Sequence, residues 1–132
     1  MVHDAPFDIK TTEAHHFRRI SLTQGKLKSK RIMGIRDGNG IMFISHTGDV
    51  YPSGFLPVKA GNLRENNALQ IYQDSPIFQS LRNSDCFTGK CGQCEFRYVC
   101  GGSRARAYAL TGDYLGSDPL CIYQPKSTEA HV

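Results

Sequence analysis

Residues 91–104 read CGQCEFRYVCGGSR, which places three cysteines within ten residues and two glycines directly after them. A fourth cysteine, Cys121, follows Cys100 after twenty intervening residues. Cys91 and Cys94 form a compact chelate, because two intervening residues allow a tight turn to direct both sulfur atoms at one metal. Four thiolates satisfy either a Cys₄ zinc site or a [4Fe–4S] cluster. The stretch therefore predicts a loop-rich lobe built around a metal site with Cys91, Cys94, Cys100 and Cys121 as ligands.

The spacing favours an iron–sulfur cluster over zinc. Zinc ribbons use two short C-x2-C pairs, whereas here only Cys91 and Cys94 are that close, and the later gaps are five and twenty residues long. A cubane cluster is larger than one ion and tolerates dispersed ligands. Five cysteines in total, an odd number near one end, make a poor disulfide framework. Cys86 is interpreted as an incidental free thiol, and a structural zinc site remains the alternative.

The residues after Cys100 suit an anionic, thiolate-rich site. They lead into a helix predicted over 103–110, whose first N–H groups carry partial positive charge. The two intervening glycines allow the backbone to approach a bulky group and to donate hydrogen bonds to its sulfur atoms. Arg104 and Arg106 on this helix have two interpretations, which the sequence leaves open. They either stabilise an anionic cluster or meet a substrate carboxylate, or they belong to a solvated helix face.

The composition limits the range of functions. A length of 132 residues fits one domain, and 39% apolar residues with no tryptophan make a modest core. The net charge of +4 suits an anionic ligand or partner surface as well as it suits nucleic acid. No apolar run is long enough to span a membrane, and no signal peptide is recognisable, so we expect a cytoplasmic, reducing setting. The five histidines are scattered, and we expect none of them to bind the metal.

The hydrophobic pattern predicts an α+β fold, a small β-hairpin with short helices. Turn residues at 37–40 precede an apolar run at 41–45, which predicts a buried strand, and 50–51 predicts its returning partner. A first helix is predicted over 67–72, with Ala68, Leu69 and Tyr72 on its apolar face. A second begins at Pro76 after Ser75, with its apolar stripe at Ile77, Phe78 and Leu81.

The basic stretch 17–36 is predicted to be a linker. It contains seven cationic residues, but few aromatic side chains interleave them, so stacking on nucleic-acid bases is disfavoured. Phe7 and Ile9 alternate with polar residues like the end of a strand that belongs to a preceding domain. The cationic residues are Arg18, Arg19, Lys26, Lys28, Lys30, Arg31 and Arg36.

The segment KCGQCEFRYVCGGSRARAYALTGDYLGSDPLCIYQP, residues 90–125, resembles the C-terminal auxiliary-cluster segment of radical SAM enzymes of the SPASM and twitch type. The likeness is greatest to the subgroup of haem-biosynthesis maturases. Residues 48–83 resemble the part of the same domain that leads into the cluster, and residues 7–19 resemble the end of the radical SAM barrel. The resemblance implies a barrel tail at 1–20, a basic linker at 21–36 and an auxiliary-cluster domain at 37–132.

The resemblance implies one [4Fe–4S] cluster on Cys91, Cys94, Cys100 and Cys121. A full SPASM domain binds two clusters, but Ser53 and Arg104 stand where ligands of the first are usual. The C-x3-C-x2-C triad that binds S-adenosylmethionine is absent. The resemblance therefore implies a fragment of a radical SAM oxidoreductase that acts on a tetrapyrrole or peptide. Its partners would be the barrel and an electron-donor protein, and its cluster would relay electrons, position substrate or support structure.

Overall fold

The chain folds as a three-stranded antiparallel sheet with five short α-helices and a long irregular C-terminal lobe, within the residues that the structure describes. The structure is a computed structural model and describes residues 6–7, 13–26 and 35–126. The predicted α+β class is confirmed. In chain order the elements are α1 (His16–Thr23), β1 (Phe43–Ile44), β2 (Asp49–Tyr51), β3 (Gly61–Asn62), α2 (Ala68–Asp74), α3 (Pro76–Arg82), a 3₁₀ turn (Ser84–Cys86), α4 (Gly89–Gln93) and α5 (Arg104–Thr111).

The predicted hairpin is present, but its first strand is shorter and more exposed than predicted. β1 pairs with β2 in the register Ile44 opposite Val50, and β3 pairs with the other edge of β2. The prediction of a buried strand at 41–45 was wrong, because β1 comprises two residues and both side chains are exposed. β1 is an edge strand, and the core is built instead on Val50 of the central strand, with Met42 packed against it.

α2 begins where Asn67 caps it, with the side-chain oxygen accepting the Gln70 N–H at 2.8 Å. The predicted apolar face was wrong at Leu69, which is exposed, whereas Ile71 is buried. Ile71 packs against Gly61 so closely that a Cβ at Gly61 would lie 3.1 Å from its side chain. The absence of a side chain at Gly61 therefore leaves room for Ile71 to turn inward.

α3 joins the two small apolar cores. Pro76 opens the helix as predicted, although the Ser75 side chain makes no capping hydrogen bond. Phe78 packs with Val50 and Ile71 in one core, while Leu81 packs with Leu56 and Ala105 in the other. The predicted stripe is confirmed, with Ile77 partly buried beside Leu81. α3 thereby connects the sheet to α5, the helix that follows the cysteine cluster.

α1 extends across residue 20, where the barrel tail was predicted to give way to the linker. Phe7 lies in an exposed bend, while Ile9 and the linker residues Lys28, Lys30 and Arg31 lie outside the described residues. The described part of the linker is not uniformly solvated, because Arg36 is buried. Within residues 6–7, 13–26 and 35–126, no helix has the length and apolarity needed to cross a membrane.

Candidate metal centre

α4 and the loop before Cys121 hold the first two cysteines. Cys91 is buried in the middle of α4, and Cys94 is the residue at which the helix ends. The N–H of Lys90 donates to the hydroxyl of Ser117 at 2.7 Å, and the N–H of Thr88 donates to the carbonyl of Leu115 at 2.9 Å. These bonds fasten α4 to a segment that is distant in sequence but directly precedes the fourth cysteine.

Cys100 closes a run of turns and leads into two glycines in the left-handed region. The N–H of Cys100 donates to the carbonyl of Phe96 at 2.8 Å, and Gly101 and Gly102 have φ of 67° and 63°. A Cβ at Gly102 would lie 2.8 Å from the Arg104 guanidinium and 3.1 Å from the Cys91 sulfur. This close approach brings the start of α5 against α4.

All four predicted cysteines line one pocket. Its wall includes Cys91, Cys94, Cys100 and Cys121 but not Cys86, which lies in the 3₁₀ turn. In the described ranges, no three histidine, cysteine or acidic side chains come close enough together to hold a single metal ion. The four thiols therefore share a pocket without forming such a group.

Two donors reach the Cys91 sulfur from outside the pocket. The Arg104 Nη2 donates to it at 3.3 Å, and the backbone N–H of Asp118 donates at the same distance. Arg104 is only 1% exposed, so of the two interpretations left open by the sequence, the solvated helix face does not apply to it. It belongs to α5, which begins after the capping hydroxyl of Ser103 and ends at left-handed Gly112, close to the helix predicted over 103–110.

Arg106 makes a different set of contacts and is bound by carboxylates. Its guanidinium donates to both oxygens of Asp118, at 3.1 and 2.7 Å, and to the carbonyl of Glu13 at 2.6 Å. Burial alone would raise the pKa of Asp118, but the bonds from Arg106 and from the N–H groups of Ser103 and Leu120 lower it to about 2. Arg106 therefore ties the segment before α1 to the loop before Cys121 and carries a paired charge.

The cysteine pocket combines buried thiols with cationic walls. Burial raises the pKa of the Cys94 and Cys100 thiols, and the neighbouring cysteines raise it further. Three cationic residues line the same pocket, Arg19, Lys90 and Arg97. Thiolates are negatively charged, and cationic side chains nearby stabilise them. These three side chains therefore favour the anionic form of the cysteines when they bind a metal group.

A second cavity, of about 210 Å³, lies beside the linker and was not predicted. His15, Arg18, Arg36, Asp37 and Ser53 are among its lining residues. The Ser53 hydroxyl accepts the N–H groups of the two residues that follow Gly54, so it closes a turn. His15 is 7% exposed with its Nδ1 unpartnered among the described residues, and burial, followed by Arg18, lowers its pKa to about 4.

Residues 36–95 match the model of the SPASM family, an iron-sulfur cluster-binding domain. The chain carries a SPASM domain. The match includes Cys91 and Cys94 and ends before Cys100 and Cys121. The recognition made from the cysteine segment is therefore confirmed.

Longer proteins resemble the SPASM chain over most of its length. An AdoMet-dependent heme synthase of Methanosarcina barkeri is 41% identical over 136 residues, which cover 95% of this chain and 39% of that protein. The AdoMet-dependent heme synthase of Nitratidesulfovibrio vulgaris is 39% identical, covering 89% and 35%. A PqqA peptide cyclase of Bradyrhizobium diazoefficiens is 36% identical, covering 75% and 27%. The chain thus spans two fifths or less of the length of these relatives.

Proposed function

We propose that this SPASM domain holds one [4Fe–4S] cluster through Cys91, Cys94, Cys100 and Cys121, as the auxiliary-cluster part of a radical SAM enzyme. The observation that carries the proposal is that four cysteines, 30 positions apart at their extremes, line one pocket. The donor set is chemically suited to such a cluster, because thiolates are its usual ligands. The sequence spacing favours a cluster over zinc, because only Cys91 and Cys94 form a short C-x2-C pair and the later gaps are five and twenty residues long.

The residues around the pocket fit the requirements of a cluster. Gly101 and Gly102 present backbone beside the thiols, where side chains would obstruct. Arg104 and the Asp118 N–H donate to the Cys91 sulfur, and the Gly102 N–H bonds to Cys100. Such bonds to ligating sulfur orient the ligands and adjust the electronic properties of the metal group. When bound, a [4Fe–4S] cluster supplies one-electron transfer.

The relatives suggest the wider context in which the domain works. Heme synthase and peptide cyclase name proteins that act on a tetrapyrrole and on a peptide. We extend this to the chain as a proposal: its parent modifies a substrate of one of these classes with S-adenosylmethionine, and a radical SAM barrel is the domain's partner. With all four ligands from cysteine, the cluster has no vacant position, so electron relay or positioning is favoured over direct substrate ligation.

Metal and sulfide content tests the proposal. The chain is purified without oxygen after growth with added iron, and iron, zinc and acid-labile sulfide are measured per chain. We expect about four irons with matching sulfide, and their loss in Cys91→Ala and Cys100→Ala. Cys86→Ala is the matched control and should retain both, because Cys86 does not line the pocket.

The alternative is a structural Cys₄ zinc site. A single zinc per chain without sulfide, in protein made anaerobically with iron supplied, would contradict the cluster and support that alternative. Zinc in aerobic protein decides nothing, because loss of a cluster frees the same four thiolates for zinc.

A further inference from the structure

Two buried arginines stand directly behind the cysteine pocket without carboxylate partners. Arg104 is 1% exposed and Arg36 is 7% exposed. Arg104 donates to the carbonyls of Tyr114 and Gly116 and to the Cys91 sulfur. In the part of the chain that the structure describes, neither arginine forms an ion pair.

Arg36 lies on the other side of the same wall. Its Nη1 donates to the carbonyl of Arg97 at 3.3 Å, and its Nη2 donates to the hydroxyl of Ser84 at 3.4 Å. A Cβ at Gly101 would lie only 2.2 Å from the Arg36 Nη1, so the guanidinium rests against the backbone next to Cys100. The adjacent carboxylate of Asp37 is directed elsewhere and accepts the N–H of Ala105.

The two guanidinium groups also share an apolar neighbour. The ring of Phe87 lies 4.6 Å from the Arg104 Cζ and 5.8 Å from the Arg36 Cζ. An aromatic face attracts a cation but supplies no opposite net charge. Burial lowers the pKa of Arg36, the positive charges of Arg18 and Arg104 lower it further, and Cys100 opposes them.

Burying a charge is costly unless an opposite charge lies nearby. Arg106, on the same helix, meets this requirement with Asp118, whereas neither Arg36 nor Arg104 forms an ion pair with a carboxylate among the described residues. The thiol of Cys91 accepts a hydrogen bond from Arg104, and the thiol of Cys100 acts electrostatically on Arg36. Four thiolates around a [4Fe–4S] core give a net charge of about −2, and addition of one electron makes it about −3. The negative charge of such a complex would balance the two arginines.

Building on the proposed function, we propose that Arg36 and Arg104 are charge-compensating positioning residues that raise the reduction potential of the cluster. Their fixed positive charges favour the more negative, reduced state over the oxidised one. The couple is a one-electron reduction in which the electron comes from an external low-potential reductant and remains on the cluster. Removal of either charge should therefore lower the midpoint potential.

The test is a potentiometric titration, followed by electron paramagnetic resonance, of the cluster-loaded chain with dithionite as the reductant. The variants are Arg36→Met and Arg104→Met, each compared with the charge-retaining Arg36→Lys and Arg104→Lys. Arg82→Met is the matched control, because Arg82 also lies over an aromatic ring and donates to main-chain carbonyls, but it contacts the Tyr72 region and no cysteine. Coulomb's law gives an expected change of about tenfold or more in the ratio of oxidised to reduced cluster at a fixed potential, or about 59 mV for one electron.

We expect both methionine variants to titrate at lower potential, with the lysine variants and Arg82→Met close to the unmodified chain. An unchanged potential in both methionine variants would overturn the proposal, and so would an equal fall in the lysine variants, because the effect would then come from geometry. If a methionine variant loses its cluster, we expect the corresponding lysine variant to retain it. Loss of the cluster in both lysine variants would also overturn the proposal. If the unsubstituted chain contains no iron or sulfide, the proposed function itself is refuted, which is a separate outcome.

Discussion

Gly102 is the residue at which the cysteine lobe is most tightly constrained. Its φ of 63° is unfavourable for any side chain, and an added Cβ would also meet Arg104, Asp118 and Cys91 within 3.1 Å. Gly112 has a similar φ of 76°, but nothing lies within 4 Å of its Cβ position. Substitutions at the two glycines therefore compare backbone strain alone with backbone strain plus steric collision.

We expect Gly112→Ala to lower the free energy of unfolding by about 1 kcal/mol through left-handed strain alone. Gly102→Ala should lower it by about 3 kcal/mol or more, because the clash with buried neighbours adds to the same strain. Urea denaturation measures both values, and iron content should fall only in Gly102→Ala. Equal losses of stability in the two variants would contradict the packing described around Gly102.

At the scale of elements, a buried histidine lies at the start of α1. His15 precedes the helix, and the charges that act on it come from Arg18 on α1, Arg106 on α5, and Asp37 and Asp118 in loops. Burial is the largest influence and lowers its pKa to about 4 from 6.5. The folded protein therefore favours a neutral imidazole at His15.

This shift predicts a specific pH dependence of stability. The unfolded chain takes up a proton at His15 as the pH falls through 6.5, whereas the folded chain takes it up only near pH 4. Stability is consequently lost as the pH falls between these values, by about 2 kcal/mol from pH 7 to pH 5. Urea denaturation of His15→Gln should lack this part of the loss, while His46→Gln, altered in an exposed turn, should retain it. A loss of the same size in His15→Gln would contradict the assignment.

For the whole molecule, local patterns in the sequence predicted the positions of the elements better than they predicted which side chains are buried. Spacing selected the four cysteines that share the pocket, and the run of helix-forming residues after Cys100 placed α5. The outward face of Leu69 and the exposed β1 could not be predicted from periodicity, because they depend on Gly61 and on the order of the strands.

The burial of Arg36 and Arg104 could not be predicted from the sequence either. Both occur in basic stretches that are typical of solvated surfaces. Their environment is decided by contacts with residues far along the chain, such as Ser84 and Arg97 for Arg36, and Gly116 for Arg104. One signal was present, since a glycine pair beside a cysteine indicates that another group approaches the backbone closely, but it does not identify that group.

The distribution of apolar packing predicts how the molecule responds to metal removal. The two apolar cores use residues from β2, α2, α3 and α5, and none of their buried members comes from residues 88–102. The interior of that segment consists of cysteines and glycines, so the proposed cluster must replace the missing apolar core. We expect removal of iron with a chelator, without oxygen, to loosen this segment selectively.

Hydrogen exchange measures the response segment by segment. Amides of 89–102 should exchange at least about tenfold faster in the iron-free chain, which corresponds to about 1.4 kcal/mol of lost local protection. Amides of β2 and α3 should change little, because Val50, Phe78 and Leu81 keep their partners. Cys86→Ala should give the same contrast between loaded and iron-free protein as the unmodified chain, since this thiol is outside the pocket. Uniform loss of protection, or none in 89–102, would show that the lobe does not depend on the cluster in this local way.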